Sequence, residues 1–327
     1  VLGLFSGGGG LDLGFKQAGF DLILSTDFNK DCCKTLEQNF NHKIICDDVD
    51  NLKLNKGITD IVVGGSPCQA FSNANRQNGS KLLDNPKNSL VLSYIHKIKK
   101  INPLVFVYEN VPQVLTASDG LFIKEFKERL PDYHIEVKVL NAYDYGVAQL
   151  RKRAIFIGSR IGIIKHPEPQ NTYLTINDAF NDLNDNIFNQ LDRRNSKEET
   201  IHKISYIPQG GNWENLPEKY KINLSRSKTQ SNLYSRLHND KPSNTLVHFG
   251  KSIIIHPNEN RIISIREGAR IQGFPDDYIF VGTLNEKIQM VANAVSVPLA
   301  KAIAVHIKKE MDNYLNDQVV DANKRII

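Results

Sequence analysis

The strongest constraint on this chain is an alternation. From the first residue, short apolar runs such as VLGLFS, DLILSTD and DIVVGG are separated by amphipathic stretches of helix length, LDLGFKQAG and NKDCCKTLEQNF. Strands spaced by helices cannot pair as tight hairpins. They must cross over, which gives parallel βαβ units and a sheet covered on both faces. The helical SLVLSYIHKIKKI and the strand LVFVYENV extend the series, whereas HIEVKVLNA and RAIFIGSR are joined by a short connection and suggest an antiparallel hairpin at the sheet's end. The expected fold class is therefore α/β, a doubly wound and mostly parallel sheet.

After Arg160 the texture changes. Residues 166–263 are rich in Asn, Ser, Pro and Lys and contain the turn-heavy IPQGGNWENLP, so they can hardly extend the sheet and read as an inserted, irregular second unit. SIREGARIQGFPDD and the helical VPLAKAIAVHIKKEM restore regular pattern, and the tail NDQVVDANKRII is expected to be loosely attached. A chain of 327 residues exceeds one usual core, which also favours a large unit with a smaller one.

Charge is unevenly spread. The whole chain carries a formal +5, yet residues 219–251 alone hold seven Lys and Arg against the single acid Asp240. Such a window is commonly a solvated face, and in a balanced protein it also suits a polyanion such as nucleic acid. The cysteines Cys32, Cys33, Cys46 and Cys68 show no paired zinc-ligand spacing, so no metal is expected. No leader and no long apolar run are evident, which points to a reduced cytoplasmic protein without a membrane partner. The first residue is Val1 rather than Met, so at least an initiating residue is expected to precede it.

Two strand ends carry chemistry. FSGGGGLDLGF stands where the first strand meets the first helix, the place where open α/β sheets bind nucleotides, but Asp12 and Leu13 break the dinucleotide fingerprint and weaken an oxidoreductase reading. The cluster Gly7 to Gly10 still permits close approach of a ligand to the backbone. Asp27, Phe28 and Asp48 at the next strand ends could accept from ribose hydroxyls, stack on adenine and accept an adenine amino proton. Acids often end strands as caps, so each alone is weak, and together they favour an adenosine cofactor. In VVGGSPCQAFS, Cys68 sits at the lip of a strand, either as a packed thiol or as a nucleophile. Glu109 and Asn110 end the following strand, and alternation puts Gln149, Arg151 and Arg153 on one face of GVAQLRKRAIF, where local ion pairing is the alternative role for the arginines.

At this point the chain resembles the C5-cytosine DNA methyltransferases of bacterial restriction-modification type, because FSGGGGLDLGF, GGSPCQAFS, ENV, QLRKR, REGARIQGFPDD and NAVSVPLA follow in that family's order and at about its spacing. The resemblance implies that Cys68 attacks cytosine C6, making C5 an enamine carbon able to take a methyl from S-adenosylmethionine. It implies that Glu109 bonds the N3 and amino edge, that Arg153 bonds the carbonyl oxygen with Arg151 and Gln149 alongside, and that the base is flipped from duplex DNA. It further implies cofactor contacts from Phe5, Ser6, Gly7, Gly8, Gly9, Gly10, Leu11, Asp27, Phe28, Asp48, Val49, Pro67, Asn293 and Val295, and DNA contacts from Gln69, Ser72, Arg76, Arg226, Lys228, Arg236 and Thr245. RLHNDKPSNTLV resembles the family's recognition core, with Arg236 reading a guanine, while Trp213 is expected to be a packing anchor rather than a base stacker.

The division implied is a catalytic and cofactor-binding domain over 1–172, a target-recognition domain over 173–263, a hinge over 264–289 and a returning C-terminal helix over 290–327. Gln69 to Asn88 resembles the family's mobile loop. The protein is expected to be a monomer whose companion restriction endonuclease forms no stable complex with it. Departures from the family pattern are Ser66 for the commonest Pro, Lys87 for Arg, Ser296 for Pro, and Ala292 for a Gly. If that Gly is left-handed in relatives, Ala292 is strained, which lowers cofactor affinity and keeps open a catalytically silent DNA-binding paralogue. A transfer-RNA cytosine methyltransferase is the other alternative.

Overall fold

The computed structural model describes residues 1–67, 86–221 and 233–324. Its strands are β1 (Leu2–Leu4), β2 (Leu24–Asp27), β3 (Lys43–Cys46), β4 (Ile61–Gly64), β5 (Val105–Asn110), β6 (His134–Asn141), β7 (Gln149–Leu150), β8 (Lys152–Ser159) and β9 (Ser243–Asn244). Seven of them form one sheet in the order β3-β2-β1-β4-β5-β8-β6, parallel from β3 to β5, with β8 antiparallel to both its neighbours. The α/β expectation and the terminal hairpin both hold. The hairpin's second strand lies between β5 and its own partner β6.

The crossovers are α1 (Gly10–Gln17), α2 (Lys30–Asn39), α3 (Pro86–Ile101) and α4 (Leu121–Arg129). Alternate residues of β5 serve opposite faces. Val105 and Val107 pack with Phe15 of α1 and Ile303 on one side, and Phe106 and Tyr108 pack with Tyr94 of α3 and Phe126 of α4 on the other. A sheet buried on both faces explains why its strands read as unbroken apolar runs.

The second part holds α5 (Ile176–Phe180), α6 (Glu198–Ser205) and α7 (Phe249–Ser252), none of whose neighbouring strands joins the main sheet. β9 pairs instead with β7, in register Gln149↔Ser243 and Leu150↔Asn244. Trp213 is 5% exposed among Ile204, Ile207, Leu216 and Ile255, the packing role expected of it. Then follow α8 (Ile265–Ile271), α9 (Leu284–Asn293) and α10 (Val297–Lys324).

The tail, expected to be loosely attached, is helical as far as Lys324. Helix α10 continues there although its side chains are mostly exposed from Asp312 to Gln318. Its first half is fixed by packing on α1, each added residue then gains a backbone hydrogen bond, and no Gly or Pro interrupts. The packing needs Gly14, because a Cβ there would stand 2.7 Å from the Lys301 backbone nitrogen and against the Ala300 side chain. Gly14→Ala is expected to destabilise the protein by about 1–3 kcal/mol through overpacking. Urea unfolding with an unchanged slope and a lower midpoint is the check; an unchanged midpoint would show that the two helices separate freely.

Candidate active site

The order of strands reverses between β1 and β4, and the crevice outside their carboxyl ends is where open α/β sheets bind ligands. A cleft of about 560 Å³ lies there. Its walls are the ends of β1, β2, β4 and β5, the start of β8 and the end of α9. Because β8 runs backwards, its first residues reach the same edge as the last residues of β5.

That reversal builds the polar centre. Glu109 is the last residue but one of β5, and its Oε1 lies 2.8 Å from Arg153 Nε, with both side chains 12% exposed. Gly65 makes room, since a Cβ there would stand 2.8 Å from the Glu109 carboxylate. Behind it, Ser66 Oγ and Tyr108 OH share a hydrogen bond of 2.8 Å, and Asn110 Nδ2 donates to Tyr108 OH at 2.7 Å and to the Ser66 carbonyl at 3.2 Å. The strand end leading into Pro67 is thereby tied to the strand that carries Glu109. Cys68, Gln69, Ser72 and Arg76, and the loop reading with Lys87, fall on residues outside those described or described only by backbone; Arg226 and Lys228 are likewise outside.

Arg151 does a different job from the one expected beside the base. Its guanidinium is 1% exposed and donates from Nη2 to the carbonyls of Ala292 and Asn293 at 3.1 and 3.3 Å, holding the end of α9 against the cleft. Burial, with Arg153 nearby, pushes its pKa down to about 9, so it is still a cation at neutral pH. Gln149 does not line the cleft. Its Oε1 accepts from Leu246 N at 3.1 Å, and Thr245 Oγ1 donates to the Leu150 carbonyl at 2.7 Å. Gln149 and Thr245 therefore join the two parts of the chain; Gln149, expected among the catalytic residues, lies outside the cleft lining, and the Thr245 hydroxyl, expected at DNA, donates to Leu150 O.

On the other side of the cleft, Gly7 has φ 53° and open space beyond it, and its N–H donates to Asp27 Oδ2 at 2.8 Å. Asp27 Oδ1 accepts from Asn29 N at 2.9 Å, while burial raises the Asp27 pKa. Phe28 beside it is 68% exposed. Phe5, Ser6, Gly8, Leu11, Pro67, Asn293 and Val295 also line the cleft. Gly9 and Gly10 face inward, where a Cβ would strike the Tyr278 hydroxyl and the Val295 carbonyl, so they serve packing. Asp48 and Val49 stand outside the lining: Asp48 caps the turn Val49–Asn51 by accepting from Asp50 N at 2.9 Å, and Val49 is 5% exposed in the core.

Sequence reasoning missed Glu286, Gln289 and Met290, which line the cleft with Asn293. Their spacing of three, four and seven residues along α9 was the available signal, one face of a helix. The feared strain at Ala292 is absent. It lies within α9, and the non-glycine residues with positive φ do not include it.

Arg236 is the clearest correction. It is 6% exposed, and Nε donates to Ile207 O at 2.6 Å, Nη1 to His256 O and Glu259 O at 2.9 and 2.8 Å, and Nη2 to Ile204 O and Asn260 Oδ1 at 2.8 and 2.6 Å. Five donors are spent on five acceptors, leaving none for a guanine.

The family description for C-5 cytosine-specific DNA methylase matches residues 1–309. The chain belongs to that family. Its enzymatic class is accordingly methyl transfer to cytosine C5 in DNA. Type II methyltransferase M1.HphI of Haemophilus parahaemolyticus is 37% identical over 95% of this chain and 87% of its own length. Type II methyltransferase M.MthTI of Methanothermobacter thermautotrophicus is 34% identical over 97% of this chain and 99% of its own. Among solved structures, a putative DNA modification methyltransferase encoded within an E. coli prophage superposes with a TM-score of 0.75 over 95% of this chain and 99% of that one, at 24% identity, which speaks for the fold. Members of the methylase family depend in general on S-adenosylmethionine.

For this methylase, Arg236→Ala is expected to cost on the order of 3 kcal/mol of stability by orphaning buried acceptors. The ratio of affinities for cognate and scrambled duplex should stay fixed in the folded variant. A collapsed ratio with normal urea stability would restore Arg236 as a base reader.

Proposed function

We propose that this chain methylates C5 of a cytosine flipped out of a short duplex DNA target, as the modification enzyme of a restriction-modification system. The observation that carries this reading is the Glu109–Arg153 pair at 2.8 Å, set at the cleft edge directly beside the strand end that leads to Cys68. The type II names of the relatives support the biological setting.

The cleft fits S-adenosylmethionine on its own features. Its volume of about 560 Å³ lies within the usual range of small-molecule sites, roughly 300–1,000 Å³. Gly7 leaves the backbone open, Asp27 offers carboxylate lone pairs for ribose hydroxyls, and the exposed Phe28 ring offers a face for adenine. When bound there, the cofactor supplies a methyl group made electrophilic by its sulfonium. Gly7, Gly8, Leu11, Asp27, Phe28, Asn293 and Val295 would hold it.

The chain's own residues do the rest. Cys68 attacks C6 as a thiolate, Glu109 bonds the N3 and amino edge so that charge building on the ring is relieved, and loss of the C5 proton later expels the thiolate. Arg153 holds the Glu109 carboxylate in place and offers its remaining donors to the carbonyl oxygen. The target-recognition segment is assigned to 173–263 between the catalytic domain 1–172 and the hinge 264–289, with 290–327 returning. The enzyme acts as a cytoplasmic monomer, its endonuclease separate. Among the described residues no single helix is long and apolar enough to cross a membrane.

Incubation with labelled S-adenosylmethionine and plasmid DNA, followed by bisulfite sequencing, is expected to show label in DNA and protected cytosines within one short motif. Label in transfer RNA alone would overturn the DNA reading. Duplex carrying 5-fluorocytosine at the target should be trapped covalently by the wild type and not by Cys68→Ser, which should still bind duplex. In calorimetry, Asp27→Ala should weaken the cofactor by about 1.5–3 kcal/mol, the scale of a lost charged hydrogen bond; unchanged affinity would move the ribose contact elsewhere.

A further inference from the structure

Among the described residues, one half of the cleft is acidic without a side-chain cation to match. Asp12, Asp27 and Glu286 line it from α1, β2 and α9, and their contacts are neutral donors: Ser6 and Ser25 hydroxyls on Asp12 at 3.2 and 2.5 Å, backbone N–H groups on Asp27, and the Asn29 amide on Glu286 at 2.9 Å. Among the described residues none of the three forms a salt bridge. The two arginines among the described lining residues are engaged otherwise, Arg153 with Glu109 and Arg151 with the carbonyls that end α9.

Asp12 is the deepest of the three, 1% exposed. A desolvated carboxylate that lacks a cation is costly, and such groups are retained where a ligand brings the missing charge. Resting on the assignment of this cleft to S-adenosylmethionine, we propose that Asp12 makes the site prefer the cationic sulfonium cofactor over its uncharged thioether product, S-adenosylhomocysteine. In the transfer the methyl leaves for cytosine C5, the sulfur keeps the bonding electron pair, and the cofactor loses one positive charge. The product therefore loses an attraction that the substrate had, which favours exchange after turnover.

Among the described residues no side-chain cation is hydrogen-bonded to this carboxylate. Ser25 Oγ also contacts His42 Nε2 at 2.7 Å, and burial lowers the His42 pKa, so His42 is neutral at pH 8. Tyr278 is buried, stays neutral and donates to Gly8 O at 2.8 Å; the Val1 amine, its pKa lowered by burial against the charges of Asp60, Asp21 and Asp12, donates to Asp21 O at 2.6 Å. Asp27 adds a second negative charge to the same side. Burial, opposed by the Ser25 and Ser6 hydrogen bonds, raises the Asp12 pKa to about 6. Asp12 is therefore charged at pH 8 and protonated by pH 5.

The two ligands share their amino-acid and adenosine groups, so the ratio of their affinities removes every titration except those that sense the sulfur's charge. Calorimetry of wild type and Asp12→Asn with each ligand from pH 8 to pH 5 is the test. The wild type should prefer S-adenosylmethionine at pH 8, and this preference should shrink on the order of tenfold as pH falls through 6, the scale of one partly desolvated charge acting over several ångströms. Asp12→Asn, which keeps an acceptor for Ser25, should show the reduced preference at every pH. Equal weakening of both ligands in the variant would mean that Asp12 only shapes the glycine turn, and the proposal would fall while the cofactor reading stood. Should the variant not fold, a wild-type preference that is flat across pH overturns the proposal by itself. If the wild type bound neither ligand, the cofactor assignment would go, and this inference with it.

Discussion

The direction of one strand decides what this molecule can do. Every other strand of the main sheet points its carboxyl end at the cleft, which delivers backbone turns and the side chains just beyond them. Only an antiparallel neighbour of β5 could begin at that edge. β8 does, so Arg153, its second residue, stands near the end of β5, and with Glu109 paired to Ile155 it lies two positions on, on the same face, and reaches Glu109. An ion pair half withdrawn from water is costly unless its geometry is held, and here the ladder of β5 and β8 holds it. With β8 reversed into a parallel strand, the same arginine would emerge at the opposite edge.

The residues just before β8 carry a second burden, joining the two parts of the chain. β7 pairs with β9, Gln149 accepts from Leu246 N, and Thr245 donates to Leu150 O. Two residues on, Arg151 binds the last carbonyls of α9, whose end lines the cleft. One short run of sequence thus touches the proposed recognition segment, the α9 wall of the cleft and the ion pair. Gln149 and Arg151 act by placing other groups, a role that their position in a catalytic motif does not reveal.

Much of this was legible in the sequence because it depends on period and chain direction. The alternation of apolar runs and amphipathic stretches gave the parallel sheet, and strand ends gave Glu109, Asp27 and the Gly7 turn. Arg236 was misread for a physical reason: a basic residue in a basic window looks solvent-facing, and nothing local reports that carbonyls from Ile204, Ile207, His256 and Glu259 will converge on it. Those acceptors come from segments up to 32 residues away, which only folding assembles. Asp48 shows a different limit, since an acid at a strand end suits a ribose, an adenine or the next turn equally well in sequence, and here its Oδ1 caps the turn. Asp12 was noticed only as the residue that spoiled a fingerprint, because its burial depends on Ser25 from the neighbouring strand.

Two departures from the family pattern, Ser66 and Ser296, are absorbed by local hydrogen bonding, and a third, Ala292, by the helix that holds it. Ser66, in place of the commonest proline, gains a hydroxyl that bonds Tyr108 OH. Ser296 donates to Gln272 Oε1 at 2.6 Å, while Gln272 donates from Nε2 to Val291 O at 3.0 Å and accepts at its own carbonyl from Val297 N at 3.1 Å. The turn between α9 and α10 is therefore fixed by a buried glutamine and serine rather than by a proline ring. Ala292, one residue before the end of α9, is helical and adds helix propensity where glycine would lose it. Substitutions that look like losses against a motif here exchange backbone restraint for hydrogen bonds, and the end of α9 reaches the cleft in either case. That removes the structural ground for reading the chain as a silent paralogue.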